Sequence, residues 1–227
     1  QKIYKRPSNK SDIERIHSEF TTQLNATIAD YSTLTPHVEL AINFFQKHDI
    51  QCALTTGYSR ATVNLVIDKL SQRIQFNATT TADEVTDGLR ILMIEGNMEK
   101  LALKPVDMRR TVFFTDASSD VKNVRSAKNH PWIIGVSGYS THVGIVDKKE
   151  LEGMKIKDLS LQRESAKEML LASGAHAVIH DMSEAPLVIA AASRALDTGN
   201  SPIQTKELEV KYPPTSQADS KPFVRLG

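Results

Sequence analysis

Residues 112–120 read VFFTDASSD, an apolar run followed at once by two aspartates that lie four positions apart. The run predicts a buried β-strand, and the polar residues after it predict a loop and the start of a helix. Asp116 would end the strand and Asp120 would lie one turn into the helix, so both carboxylates can face one point and hold a hard cation such as Mg²⁺. Acidic residues at a helix start also favour the helix dipole, and a capping role is the alternative for this pair.

A second loop of this kind lies earlier in the chain. Residues 50–54 form a short, nearly continuous apolar run, residues 55–60 read TTGYSR, and a helical pattern follows at 61–70. A hydroxyl side chain, a glycine that lets the backbone approach an anion, and the free amides of a helix start together suit a phosphate group. Thr56 and Gly57 are therefore candidate phosphate-binding residues. The alternative for this loop is an ordinary helix cap with a turn.

Strands alternate with helices along most of the chain. This alternation predicts an α/β fold in which a parallel sheet is covered by helices on both faces. In such a sheet ligands collect at the carboxyl ends of the strands, where both loops would lie. Besides the two segments above, we expect strands at 132–136 and 177–179 and helices at 160–173 and 186–196.

The two ends of the chain differ from its middle. Ser11 and Glu14 have the spacing of a capping box, and an apolar stripe follows on the helix that they would start. From residue 198 onward polar residues and prolines dominate, which predicts an extended tail that takes its order from a partner. We therefore divide the chain into an amino-terminal helix (1–30), a core domain (31–197) and an extended tail (198–227).

The composition narrows the class of protein. The formal net charge of +1 over 227 residues does not favour nucleic acid, an anionic membrane or an acidic partner. The single cysteine, Cys52, excludes a disulfide framework and a cysteine-ligated zinc site, and it fits a reducing compartment such as the cytoplasm or the mitochondrial matrix. No apolar run approaches the ~20 residues of a membrane-spanning helix, so we expect no membrane partner.

Four segments together resemble the phosphonoacetaldehyde hydrolase branch of the haloacid dehalogenase superfamily. TTGYSR (55–60) resembles the branch's Thr-Thr-Gly-Tyr-Thr-Arg loop, and TADEV (81–85) is similar to its Thr-Pro-Asp-Asp-Val. FTDASSD (114–120) resembles its Val-Gly-Asp-Thr-Val-Ser-Asp, and GAH (174–176) is similar to its late Gly-Ala-His. The resemblance covers most of the chain and implies a HAD-like Rossmannoid fold.

The resemblance also implies a chemistry. Enzymes of that branch hydrolyse phosphonoacetaldehyde to acetaldehyde and phosphate, using Mg²⁺, an aspartate nucleophile on the first strand and a lysine on a cap domain. By this resemblance Thr56 would bind a phosphoryl oxygen, and Asp116 and Asp120 would help to hold Mg²⁺. The predicted amino-terminal helix would be a remnant of the cap domain.

Parts of the family's site do not carry over to this sequence. Its Asp-x-Ala-Gly-Thr nucleophile segment and its cap lysine have no counterpart here. The arginine that balances the phosphate charge falls on Leu89, with Arg90 one place late, and one place is about 100° of rotation on a helix. Thr115 stands where the family has a glycine. We therefore expect a phosphate-binding remnant made of Thr56, Gly57 and Arg90, with Mg²⁺ bound weakly or lost.

These departures favour a degenerate member of the family that acts as a non-catalytic scaffold subunit of a large organellar assembly such as a mitochondrial ribosome. The tail and the exposed cap helix would then contact protein partners. RNA contact would come from a basic run, which is otherwise a solvated face: Lys100, Lys104, Arg109 and Arg110. The alternative function is a Mg²⁺-dependent phosphonoacetaldehyde hydrolase, or a related phosphohydrolase of the superfamily, whose nucleophile segment lies outside these residues.

Overall fold

The computed structural model describes residues 9–140, 143 and 155–212. Within these residues the helices are α1 Lys10–Tyr31, α2 Val38–Lys47, α3 Arg60–Leu70, α4 Arg90–Lys100, α5 Ser118–Arg125, α6 Ile156–Ala172 and α7 Ala185–Asp197. The strands are β1 Ala53–Thr56, β2 Ala78–Thr81, β3 Val112–Thr115, β4 Trp132–Val136 and β5 Ala177–Ile179. The predicted alternation of strands and helices is confirmed.

The described strands form two parallel sheets and not one continuous sheet. β1 pairs with β2, with Ala53 opposite Ala78. β4 lies between β3 and β5 in the second sheet, with Trp132 opposite Val112. In the part of the chain that the structure describes, β1 and β3 therefore each keep one edge that pairs with no other strand.

The sheet of β3, β4 and β5 is buried because its central strand is apolar throughout. Trp132, Ile133 and Ile134 are fully buried. On one face Trp132 and Ile134 pack with residues of α2 and α7, and on the other face Ile133 packs with residues of α5 and α6. A strand that is covered on both faces needs apolar residues at every position, which explains the continuous run. The predicted covering by helices on both faces is confirmed for this sheet.

The β2 strand has a different chemistry, since its sequence is ATTT. Thr80 and Thr81 are buried. The Thr80 hydroxyl donates to the Asn97 side-chain oxygen at 2.9 Å, and the Asn97 amide group donates to the Leu54 carbonyl at 2.9 Å. Gly96 allows α4 to come this close, because a Cβ built there would lie 3.1 Å from the Thr80 side chain. The sequence patterns do not predict β2, because its threonines lack the apolar run of a buried strand.

The amino-terminal helix α1 is capped two residues earlier than predicted. The Asn9 side chain accepts the Asp12 amide at 2.9 Å, and the Asp12 carboxylate accepts the Asn9 amide at 3.1 Å. The capping box predicted at Ser11 and Glu14 is therefore wrong. Asn is as good an N-cap as Ser, so sequence spacing alone does not separate the two choices.

Helix α1 packs against α3 through its second half. The Thr62 hydroxyl on α3 donates to the Asn25 side chain on α1 at 2.8 Å. The apolar residues of the first half face solvent: Ile13, Ile16 and Phe20. Across the described ranges no helix, α1 included, is long and apolar enough to cross a membrane.

The first part of the tail runs along the core without forming a helix or strand. Leu208 is buried in the same cluster as Trp132, and its amide donates to the His176 carbonyl at 2.7 Å. Val210 packs against the same cluster. The tail is thus extended, but the prediction that a partner orders it is wrong for this part, because the domain's own core buries Leu208. Residues 213–227 lie outside the described residues.

Arg125, at the end of α5, ties the tail to the sheet. Its guanidinium donates to the carbonyls of Pro202 at 3.1 Å and Thr205 at 3.4 Å, and it lies 2.7 Å from Nε2 of His176. Nδ1 of His176 accepts the Ile133 amide at 2.8 Å, so the ring proton sits on Nε2 and is donated to the Pro202 carbonyl at 2.8 Å. Burial lowers the pKa of His176 to about 4.

Candidate functional site

Two polar loops follow the carboxyl ends of β1 and β3. The first leads into α3 and the second into α5. Helix α4 packs on β1 and β2, and its first residue, Arg90, reaches Asp120 in the first turn of α5. The two loops therefore lie at the same edge of the domain, where ligands of parallel sheets bind.

The first loop presents a hydroxyl group beside an open backbone. Thr56 ends β1, and its Oγ1 accepts the Tyr58 amide at 3.2 Å. Ser59 caps α3 by accepting the Thr62 amide at 3.3 Å. Gly57 is exposed, and a Cβ built at this position would meet nothing within 4 Å. The loop thus caps a helix and also leaves the backbone at Gly57 open to a ligand, so it combines the two alternatives that the sequence left.

Residues 81–84 fold back onto this first loop. The Asp83 carboxylate accepts the Arg60 backbone amide at 3.0 and 3.1 Å and the Thr81 hydroxyl at 2.6 Å. Glu84 accepts the Arg60 guanidinium at 2.7 Å and the Lys100 ammonium at 2.8 Å. The Lys100 contact is the main reason why the pKa of Glu84 is lowered to about 2, and the Thr81 hydroxyl lowers the pKa of Asp83. Two of the segments that carried the resemblance thus form one network, which the sequence did not predict.

This network changes the environment of the predicted basic run. The Lys100 ammonium also donates to the Thr79 carbonyl at 2.6 Å, so three oxygen groups of the domain surround it. Lys104, Arg109 and Arg110 are exposed. RNA contact through this run stays a prediction.

The second loop is organised by Thr115. Its buried hydroxyl accepts the Ala117 amide at 3.2 Å and donates to Oδ2 of Asp120 at 3.2 Å. The Asp116 carbonyl accepts the Ser140 hydroxyl at 2.8 Å. Thr115 departs from the family's glycine, which favours lost chemistry, yet its hydroxyl positions one of the two candidate carboxylates.

Arg90 lies beside Asp120 despite its offset in the sequence. Asp87 and Gly88 have positive φ angles of 54° and 58°, and this sharp turn directly precedes α4. Leu89 is 38% exposed and turns away into solvent. Nε of Arg90 lies 3.0 Å from Oδ2 of Asp120, close enough for an ion pair but not aligned as a hydrogen bond. The structure therefore brings Arg90 and Asp120 together.

The acid pair has the donor chemistry that a hard cation needs. Mg²⁺ is commonly held by one or two carboxylates, while water and substrate phosphate complete its shell. Asp116, in the loop after β3, and Asp120, in the first turn of α5, provide two carboxylates, although one oxygen of Asp120 already faces Arg90 and Thr115. Among the residues that the structure describes, no group of three or more His, Cys, Asp or Glu side chains could hold a metal ion. A cation here would take two protein carboxylates and keep several waters.

A groove of about 1580 Å³ separates the two sheets. It is lined by residues 53–55 of β1, by residues 112–114 of β3, and by side chains of α2, α4 and α7. Cys52 also lines it, and burial raises the pKa of its thiol. β1, which ends at Thr56, and β3, which Asp116 follows, both line this groove.

Comparison with known proteins points to one family of hydrolases. No protein-family model matches the sequence. The phosphonoacetaldehyde hydrolase of Parabacteroides distasonis is 28% identical over 189 residues, which cover 82% of this chain and 70% of that protein. The phosphonoacetaldehyde hydrolase of Bacillus cytotoxicus is 28% identical over 191 residues, or 83% and 70% of the two chains. The crystal structure of a phosphonoacetaldehyde hydrolase like protein from Oleispira antarctica matches the fold with a TM-score of 0.79 at 22% identity, over 88% of this chain and 72% of that one.

Proposed function

Because this chain belongs to the phosphonoacetaldehyde hydrolase branch of the haloacid dehalogenase superfamily, we propose that it carries the phosphate-binding and cation-binding part of a hydrolase site for phosphonoacetaldehyde or a closely related phosphonate. This was the alternative function drawn from the sequence. It replaces the scaffold role as the leading function, because the relatives named above are hydrolases. The ribosomal scaffold and its organellar location stay predictions that no observation on this chain supports.

The observation that carries the proposal is the ion pair between Arg90 and Asp120. Both side chains are mostly shielded from solvent, at 17% and 22% exposure. Nη1 of Arg90 lies 3.5 Å from the Met93 sulfur, which is a weak acceptor. A guanidinium with such a weak partner gains from a phosphate group, because two of the phosphate oxygens can each accept one of two parallel N–H groups. Arg90, shielded beside a candidate metal loop, would supply positive charge where a dianionic phosphoryl group would bind.

Each residue then has a definite role. The Thr56 hydroxyl and the open backbone at Gly57 bind phosphoryl oxygens, and Arg90 offsets their negative charge. Asp116 and Asp120 would hold Mg²⁺, which supplies further positive charge to the phosphoryl group when bound. The attacking group is not assigned to any residue of these loops, so the proposal concerns recognition of the substrate's phosphorus end.

Binding of inorganic phosphate to the 227-residue chain tests this role. Calorimetric titration in the presence of Mg²⁺ should give a phosphate site that Arg90→Leu weakens by about tenfold or more, the size of a lost charge-assisted contact. Arg194→Leu is the matched control, because it removes the same charge from an exposed position on α7. Phosphonoacetaldehyde should compete with phosphate, whereas acetaldehyde should not. Absence of phosphate binding, or equal loss in both arginine variants, would overturn the proposal.

A further inference from the structure

Helix α4 takes its amino-terminal cap from another helix. The residue before α4 is Leu89, whose apolar side chain cannot accept a hydrogen bond. The first amides of a helix have no partner within the helix, and an N-cap side chain normally accepts from the second or third of them. Here Oδ1 of Asn123 accepts the amide of Ile91, the second residue of α4, at 3.1 Å. Because Asn123 lies on α5, a neighbouring helix supplies the missing cap.

Asn123 shares a face of α5 with Asp120. The two residues are three positions apart, and side chains with this spacing are neighbours on a helix surface. Oδ2 of Asp120 lies 3.0 Å from Nε of Arg90, the first residue of α4, and Asn123 binds the backbone of the next residue, Ile91. One face of α5 therefore holds the start of α4 at two points, one on the Arg90 side chain and one on the adjacent backbone.

Apolar packing joins the same two helices, but it does not fix their rotation. Val121 and Val124 of α5 are fully buried in the cluster that also contains Ile91 and Ile94 of α4. Apolar contacts are non-directional, whereas an N–H···O bond weakens steeply when its angle falls below ~120°. The bond to Asn123 therefore restricts rotation of the first turn of α4 about the helix axis.

The direction of the Arg90 side chain depends on this restriction. Arg90 is the first residue of α4 and closely follows the turn at Asp87 and Gly88, and one residue of rotation on a helix is about 100°. Its guanidinium contacts the Met93 sulfur, which is a weak acceptor, and its ion pair with Asp120 is not aligned as a hydrogen bond. Contacts of this kind hold a guanidinium poorly, so its direction comes from the backbone that carries it.

We infer that Asn123 is a positioning residue: by capping α4 it directs Arg90 toward Asp120 and, in a second step that rests on the proposed function, toward a bound phosphate group. The effect of Asn123 on phosphate passes through Arg90. This route separates Asn123 from a residue that binds the ligand itself and from one that only stabilises the domain.

NMR on the free 227-residue chain tests the first step without any ligand. The Nε–H signal of Arg90, assigned by its loss in Arg90→Leu, should exchange slowly with solvent because this group is shielded beside Asp120. Asn123→Ala should speed the exchange by about fivefold, the size of one net hydrogen bond. Asn43→Ala, at an exposed position on α2, is the matched control and should leave the exchange unchanged.

The variant Asn123→Asp keeps an oxygen that can accept the Ile91 amide, so it should retain the slow exchange of Arg90. This variant keeps the test decisive where Asn123→Ala fails to fold. Equal exchange rates in Asn123→Ala and the unsubstituted chain would overturn the inference. Fast exchange of the Arg90 signal in Asn123→Asp would overturn it as well.

Calorimetric titration with inorganic phosphate tests the second step. In the presence of Mg²⁺, Asn123→Ala should weaken phosphate binding by about fivefold. In the Arg90→Leu background the same substitution should change the affinity by less than about twofold, because its route to the phosphate is already lost. A further fivefold loss in that background would overturn the inference. Absence of phosphate binding in every protein, together with the expected change in Arg90 exchange, would remove the proposed function and leave the positioning of Arg90 by Asn123.

Discussion

Lowering the pH from 7 to 5 should destabilise the domain through His176. This side chain is fully buried, its Nδ1 accepts the Ile133 amide, and its Nε2 lies 2.7 Å from the Arg125 guanidinium. Protonation would place a second positive charge beside Arg125 and a proton where Nδ1 must accept one. The neutral form is therefore favoured in the folded state, and the pKa falls to about 4.

The sign and size of the effect follow from this pKa. The folded pKa lies below the ordinary value of 6.5, so the unfolded chain takes up the proton first as the pH falls. The stabilisation is complete above about pH 6.5 and is lost as the pH falls toward and through about 4. The lowered pKa of His176 contributes about 3 kcal/mol to the free energy of unfolding in total. About 2 kcal/mol of this contribution is lost at pH 5.

Urea unfolding at pH 7 and pH 5 measures this loss. The unsubstituted chain should lose about 2 kcal/mol of unfolding free energy between the two conditions. His176→Gln, which cannot take up a proton, should lose much less, although it starts from a lower stability. An NMR titration of the His176 ring in the unsubstituted chain gives the same pKa without a variant. Equal losses in both proteins, together with a ring pKa near 6.5, would refute the reasoning.

Two side-chain comparisons test the packing of the tail and of the loops. Leu208→Ala should cost about 2–5 kcal/mol of unfolding free energy, whereas Ile203→Ala, at 51% exposure, should cost under about 0.5 kcal/mol. Equal costs in urea unfolding would mean that the core does not hold the tail. Gly138→Ala should lower the Tm, because its Cβ would lie 2.5 Å from the His180 carbonyl, while Gly57→Ala has open space and should keep the Tm. Calorimetric scanning checks this pair, and a larger loss for Gly57→Ala would contradict it.

Sequence patterns locate a strand well when all of its buried side chains are apolar. β4 and β5 have the predicted bounds because every residue of their runs packs into the core. β1 begins three residues later than predicted, at Ala53, since the apolar residues before it line the groove and do not pair with β2. Such patterns do not predict β2, because its buried Thr80 depends on Asn97, a partner from another element.

For the candidate site, sequence order located the loops but not their partners. Thr56 ends one strand and Asp116 and Asp120 follow another, and the carboxyl-end rule for parallel sheets places them at one edge. The Arg90 side chain points toward Asp120 because of the turn with positive φ angles just before α4. The alignment, which puts Leu89 at the family's arginine position, does not predict this turn. The Asp83 contact with Arg60 spans 23 positions, so only the family resemblance of both segments hinted at it.

The hydrogen-bonded pair Thr80 and Asn97 bears on the fidelity of folding. A shift of α4 by one residue would rotate Asn97 by about 100° about the helix axis, away from Thr80 and from the Leu54 carbonyl. The Thr80 hydroxyl would then lose its partner in a buried place, where an unsatisfied polar group costs about 1–3 kcal/mol. Two apolar residues in these positions would let α4 slide along the sheet without such a penalty. The pair therefore exchanges some apolar burial for a single permitted position of α4 on β2, which guards this contact against misfolding.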